Sequence, residues 1–319
     1  MSAPAGPPPA VLDRLHDGAF LLIDKPRGPT SHQATAWARD LLGVERAGHA
    51  GTLDPNVSGL LWVGVGPALK LLPLLLEFPK RYIAVVVLHG RVDAAETARA
   101  IAEFTGPIFQ TPPVRSAVKR ERRIRTIHRL ERLEMDGPRL LLDVTCDSGT
   151  YVRTLAVDLG EALGVGGHLE ELRRTGTGPF TEAMAVPLTA VADAVARARE
   201  GDASTLRGLL HPMEEVLGEF PQVRVKEPAA SAVVHGAGLA AGGILNVSRP
   251  FAAGAHVILC TAAGESLAIG RARAASEALS RVRQGWAIDL ERVLVDPGRF
   301  PPRWGRPAGA TATDPAGTG

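Results

Sequence analysis

The sequence predicts an α+β protein with a small, mostly β domain at its C-terminal end. Between about residues 20 and 217, short apolar β-branched runs alternate with segments of helical period. After Leu217 the texture changes to short strand-like runs separated by glycine-containing turns. At 319 residues the chain is long enough for one large domain and one small one. The expected division is an extension over 1–19, a first domain over 20–217, a second over 218–297 and a tail over 298–319. Residues 1–18 begin Ala/Pro/Gly-rich and are expected to form an extended arm. The tail has little to bury and is expected to be disordered.

Each element has its own signal. Ser31–Leu42 reads as a helix with Ser31 as N-cap and Gly43 as its stop. Residues 60–65 and 82–88 read as buried strands, and 93–104 as a helix. Residues 130–135 and 140–146 form a hairpin turning at Asp136-Gly137-Pro138. A helix over 151–163 ends at Gly164, and Leu188–Arg199 is opened by Pro187. Beyond Leu217, Gln222–Val225, Ile244–Val247, 257–261 and 267–271 are strand-like. Only 228–235 looks helical there, and the pattern suggests a small β barrel.

Composition narrows the function classes. The chain is 45% apolar and 22% charged, with a net charge of only +2, so the overall balance does not mark a nucleic-acid binder. Cys146 and Cys260 lie far apart in apolar runs and read as reduced core residues. The nine histidines show no paired ligand spacing, so no metal site is expected, and nothing implies a cofactor. No apolar run reaches membrane-span length, and residues 1–10 lack a signal-peptide pattern, so a cytoplasmic protein is expected.

The chemistry concentrates in Gly48-His49-Ala50-Gly51-Thr52-Leu53-Asp54-Pro55, closed by Asn56-Val57-Ser58-Gly59. Its glycines and proline suit neither a helix nor a central strand, so Asp54 belongs on a tight loop, where catalytic groups often sit. By itself Asp-Pro describes an Asx turn whose side chain bonds its own backbone. The whole string resembles the signature of TruB-type pseudouridine synthases, in which the aspartate is indispensable. Asp24-Lys25-Pro26-Arg27-Gly28-Pro29-Thr30-Ser31-His32 is similar to that family's first motif. Lys80-Arg81-Tyr82 resembles the segment supplying an active-site tyrosine. Gly149-Thr150-Tyr151-Val152-Arg153 resembles the one supplying an arginine, and the similarity continues through 164–174. Residues 110–120 and 222–273 resemble the dyskerin-like archaeal and eukaryotic branch, the catalytic subunit of box H/ACA guide ribonucleoproteins. Ser58 stands where that branch usually has Thr, and the lack of a long Lys/Glu-rich tail fits an archaeal-type protein.

The resemblance implies a mixed, largely antiparallel sheet flanked by helices over 20–217, with an RNA-clamping thumb loop at about 110–129. It implies a PUA RNA-binding domain over 218–297. Partners would be tRNA, rRNA, an H/ACA guide RNA and small proteins of the ribonucleoprotein.

Converting uridine to pseudouridine breaks an N-glycosidic bond, turns the uracil and rejoins it through carbon 5. A carboxylate near sugar and base is needed, and Asp54 is that group. Attack on the sugar, attack on the base and removal of a sugar proton are all compatible with it. A buried Asp54 would need a cation to stay ionised, and Arg153 suits that pairing. Without the motif Arg153 reads as a surface arginine and Tyr82 as a packed strand residue. With it, Tyr82 is a platform for the unstacked base. His49, Lys25, Arg27 and Tyr151 are candidate RNA contacts near the pocket. Residues 115–132 carry eight basic residues against two acidic ones, and read as a mobile loop gripping phosphates through Lys119, Arg120, Arg122 and Arg123. A non-catalytic PUA-containing scaffold would need none of Asp54, Tyr82 and Arg153 together. A small-molecule N-glycosidase would leave the basic run and second domain without a purpose.

Overall fold

The computed structural model describes residues 6–111, 121–281 and 284–300. The chain divides into two compact units, Met1–Met213 and Glu214–Gly319.

In the first unit a short 3-10 turn, Pro9–Val11, leads into α1 (Leu12–Asp17). The expected extended arm is therefore helical in its described part. Val11 and Leu15 are the reason, because both enter a core with Leu21, Ile23, Leu42 and Val63. There follow β1 (Ala19–Lys25), α2 (Ser31–Leu42), β2 (Ala47–Ala50), β3 (Val57–Val65), α3 (Leu72–Leu75) and β4 (Lys80–Leu88). Next come α4 (Ala94–Glu103), β5 (Gly106–Gln110), β6 (Arg123–Asp136), β7 (Arg139–Cys146) and α5 (Val152–Ala162). The unit closes with β8 (Gly167–Thr177), β9 (Phe180–Thr181), α6 (Leu188–Arg199), α7 (Ser204–Leu209) and β10 (His211–Pro212). The sheet order is β10-β1-β3-β8-β4-β7-β6-β5, with β2 on β3 and β9 on β8. Only β3 and β8 run parallel among these pairs, so the sheet is mixed and largely antiparallel, as expected.

Two local readings change. Thr30 is the N-cap of α2, not Ser31: its side chain accepts from Gln33 N–H while the Gln33 side chain accepts from Thr30 N–H, completing a capping box. Residues 123–129, expected in a loop, are the first half of β6. Arg123 to Ile127 pair with Gln110 to Gly106, so the connection is confined to 111–122. Of that connection, 112–120 lie outside the described residues.

After α8 (Met213–Leu217) the second unit is built on β11 (Gln222–Val225), α9 (Glu227–Val234), β12 (Leu239–Ala240), β13 (Ile244–Val247) and β14 (His256–Cys260). It continues with β15 (Ser266–Ala272), α10 (Ser276–Arg281) and β16 (Trp286–Val293). Its six strands, ordered β12-β16-β15-β14-β11-β13, share one core with Val233 and Val234 of α9. The short β12, α10 and β16 escape sequence reading. In β16 the polar side chains hide the strand: Arg271 of β15 and Arg273 just beyond it pair with its Glu291 and Asp289, leaving Ala287 and Ile288 to the core. Cys146 and Cys260 are buried and free.

Candidate active site

Asp54 stands in the turn joining β2 to β3, and its neighbours hold that turn on three sides. Leu53 is 3% exposed and packs with Ala34, Val57 and Leu61, a burial contributing about 1.5–3 kcal/mol. Ser31, freed from capping, accepts from the Leu53 N–H (2.8 Å) and donates to its carbonyl (2.9 Å). Gly28 N–H donates to the Pro55 carbonyl (2.8 Å), so the first motif grips the second.

Lys25 serves that grip rather than RNA. The expected phosphate contact is overturned because Lys25 is fully buried, and its ammonium donates to the carbonyls of Pro26 (2.7 Å) and Pro29 (2.9 Å). Burial lowers its pKa, and the Asp54 charge acts in the opposite sense. The bonds close the 26–29 turn that presents Gly28 to Pro55.

From the other side, α5 brings Arg153 in its first helical turn to an ion pair with Asp54. A guanidinium is disfavoured at a helix N-terminus, so this placement serves the partner across the cavity. The two side chains are 50% and 54% exposed. The expectation of a buried aspartate is therefore corrected, and the pair adds little to stability in the free protein. With water around it, Arg153 orients the carboxylate.

Asp54, Arg153, Tyr82, Tyr151, Lys80 and Arg174 line one cavity of about 590 Å³. That volume is ample for a nucleoside-sized ligand. Tyr82 comes from β4; burial raises its pKa and the Arg174 guanidinium opposes this. Tyr151 precedes α5, and its backbone is held by the side chain of buried Gln110. That amide donates to the Tyr151 carbonyl (3.0 Å) and accepts from its N–H (2.9 Å). The Lys80 ammonium donates to the carbonyls of Leu75 (2.8 Å), Phe78 (2.6 Å) and Leu76 (3.4 Å). Burial first, then Arg174, pulls Lys80 down to about 7, while the three carbonyl oxygens favour the charged form.

Other expected contacts stand apart from this cavity. His49 lies edge-on to His32, with ring centroids 4.7 Å apart, and lines a separate recess of about 430 Å³ with Thr35 and Arg39. Burial, then His32 and Arg174, lowers the His49 pKa. Arg27 is exposed and pairs with Glu171 at 2.6 Å. Arg122 lies over the Phe109 ring at 4.4 Å, and Arg123 sits opposite Gln110 in the β5–β6 pairing. Lys119 and Arg120 lie outside the described residues. Sequence reasoning assigned no role to Gln110, Lys80 or Arg174, although all three fall in segments quoted for the resemblance. Polar residues inside strand patterns were the available signal.

The second unit has a cavity of its own, also about 590 Å³, walled by Lys226, Pro228, Ala229, Ala232, His235 and Trp286. Among the described residues, no three His, Cys, Asp or Glu side chains gather into a group suited to a metal ion. Nor is any described helix long and apolar enough to cross a membrane.

Comparison with known proteins agrees with this geometry. The family model for the N-terminal domain of TruB family pseudouridylate synthases matches residues 39–152, and that for the tRNA pseudouridylate synthase B C-terminal domain matches 153–218. A probable tRNA pseudouridine synthase B of Methanopyrus kandleri is 45% identical over 284 residues, covering 89% of this chain and 84% of that protein. The chain belongs to the TruB family. It is a pseudouridine synthase, an isomerase, and a PUA domain model matches residues 221–294. The Methanothermobacter thermautotrophicus relative of the same name is 43% identical over 302 residues, covering 94% of this chain and 93% of its own length. Among solved structures, a Cbf5-Nop10-Gar1 complex matches with a TM-score of 0.85 and 37% identity, covering 94% of this chain and 92% of that one. An H/ACA ribonucleoprotein bound to a substrate RNA containing 2′-deoxyuridine matches with a TM-score of 0.81 and 36% identity, covering 95% and 94%.

Proposed function

We propose that this enzyme isomerises uridine in tRNA, rRNA or both, as the catalytic subunit of a cytoplasmic H/ACA guide ribonucleoprotein. Asp54 is its catalytic carboxylate. The observation that carries the reading is the meeting of Asp54, Arg153 and Tyr82 in one cavity, from three elements distant in sequence. Similarity to chains of a Cbf5-Nop10-Gar1 complex and of an H/ACA ribonucleoprotein bound to a substrate RNA supports small protein partners and a guide RNA.

In this reading the target uridine leaves its stack and rests on the Tyr82 ring. Its entry displaces the water that now surrounds Asp54 and Arg153, and their attraction strengthens as the local dielectric falls. Arg153 thereby fixes the carboxylate against the sugar and base when bond exchange begins. Tyr151 completes the wall, held in place by Gln110. The second domain, over about 218–297, anchors RNA, and the basic connection after Gln110 holds the substrate strand.

RNA carrying tritium at uridine carbon 5 tests this, because forming the new carbon–carbon bond releases that label. Release from RNA, in the presence of guide RNA and partner proteins or on tRNA alone, is the expected result. A scaffold releases none, and a nucleoside hydrolase frees uracil with the label still attached.

A further inference from the structure

Arg174 is 1% exposed, and among the described residues no carboxylate pairs with it. A buried cation without an anion is costly, and a hydrophobe of similar volume would pack there at lower cost. Its contacts suggest what offsets that cost. On β8, Arg174 is the register partner of Tyr82 on β4 and of Gly59 on β3. Its Nε donates to the Leu60 carbonyl at 2.7 Å, and its side chain lines the same cavity as the Tyr82 ring. The backbone of Gly51, three residues before Asp54, lies against the same group: a Cβ there would sit 3.1 Å from Nη1. Gly59 is equally constrained, since its φ is +101° and a Cβ would come within 2.2 Å of the Arg174 carbonyl oxygen. One side chain thus bonds the strand leading out of the Asp54 loop, lies against the glycine leading in, and shares a cavity wall with the platform tyrosine opposite it in the sheet. Among the described residues its Nη2 has no partner.

We propose that Arg174 is a positioning residue for this reaction, fixing the Tyr82 ring and the 51–54 turn in one geometry so that base and carboxylate meet in register. This rests on the roles given to Tyr82 and Asp54 above, and adds the group that ties them together. Arg153 acts across the cavity on Asp54 alone; Arg174 acts from beneath on both walls. An error of about 1 Å between such groups costs on the order of a hundredfold in rate, so the loss should appear in turnover of bound RNA and not in affinity.

The chain has two tyrosines, Tyr82 and Tyr151, which permits a test that needs no substrate. In protein carrying 13C at the tyrosine ζ-carbon, the Tyr82 resonance is the one lost in Tyr82→Phe. Arg174→Met is expected to move that resonance and leave the Tyr151 resonance in place. Single-turnover rate at saturating RNA should fall about tenfold or more, yet fall much less when the same change is made in Tyr82→Phe. An unmoved Tyr82 resonance overturns the proposal, and so do equal rate losses in the two backgrounds. Should Arg174→Met fail to fold, Arg174→Lys takes its place with the same two readings. A reciprocal measurement also remains: Tyr82→Phe must then shift a buried guanidinium Nε–H resonance, and no shift overturns the proposal. The resonances are read without RNA. A shift beside unimpaired turnover in Asp54→Asn and Tyr82→Ala would therefore condemn the site reading and leave the Arg174–Tyr82 link standing.

Discussion

Two cavities of this enzyme, one in each unit, have the same volume, about 590 Å³ each, and opposite chemistry. The one in the first unit is walled by a carboxylate, three cations and two phenols. Each is held by a backbone bond, an ion pair or burial. The one in the PUA domain is walled by alanine, glycine and proline, with Lys226, His235 and a Trp286 side chain left 58% exposed. Pre-organised charge is what bond exchange requires, whereas an apolar recess beside an exposed indole and a lysine suits holding a base and a phosphate. The difference assigns reaction to one unit and retention to the other, and substitutions can break that division.

Among changes that leave Asp54 in place, the largest effect should come from Arg153→Met. Losing the group that orients Asp54 is expected to lower single-turnover rate by about a hundredfold, with melting temperature nearly unchanged because the free pair is half exposed. A matching loss of stability would show Arg153 to be structural. Removing residues from Glu219 onward should spare turnover at saturating RNA and weaken affinity by about tenfold or more. It should also flatten the dependence of affinity on salt, since each lost phosphate contact lowers the slope by about 0.7–0.9. An unchanged salt slope would take the retention role away from the PUA domain. Tyr82→Ala should cost roughly tenfold in productive binding, because an aromatic–base stack is worth about 1–3 kcal/mol. Tyr82→Phe should retain most of that stack, and equal losses would exclude a base platform.

What the sequence disclosed follows the same division. The meeting of Asp54, Arg153 and Tyr82 in one cavity was legible because each sits in a short string of distinctive glycine, proline or aromatic residues. Lys25 was misread because a lysine in a Pro/Gly segment normally faces water, and only the fold shows the Pro26 and Pro29 carbonyls closing on its ammonium. The cap at Thr30 was missed by one residue because both neighbours are good caps; the choice turns on Ser31 being claimed by Leu53. Arg174 was invisible in role, since its partners come from strands and loops more than ninety residues away in the chain. The β16 strand was hidden by side chains that pair across to β15.

The smallest expected effect concerns His49. Its folded pKa lies below the usual 6.5, so the unfolded chain binds the proton more readily and stability falls as pH drops through 6.5. His49→Gln should flatten the acid limb of a melting-temperature profile below that pH and leave the neutral region in place. An unaltered acid limb would show that His49 titrates as it does in the unfolded chain.

The most direct test of the account is Asp54→Asn. Asparagine keeps the shape of the turn and the buried Leu53 anchor, and removes only the negative charge. RNA affinity and tritium release from carbon-5-labelled uridine should be measured side by side on the variant and the wild type. Affinity within a few-fold of wild type and no release of label are expected. Turnover by Asp54→Asn above background would contradict the catalytic role of Asp54.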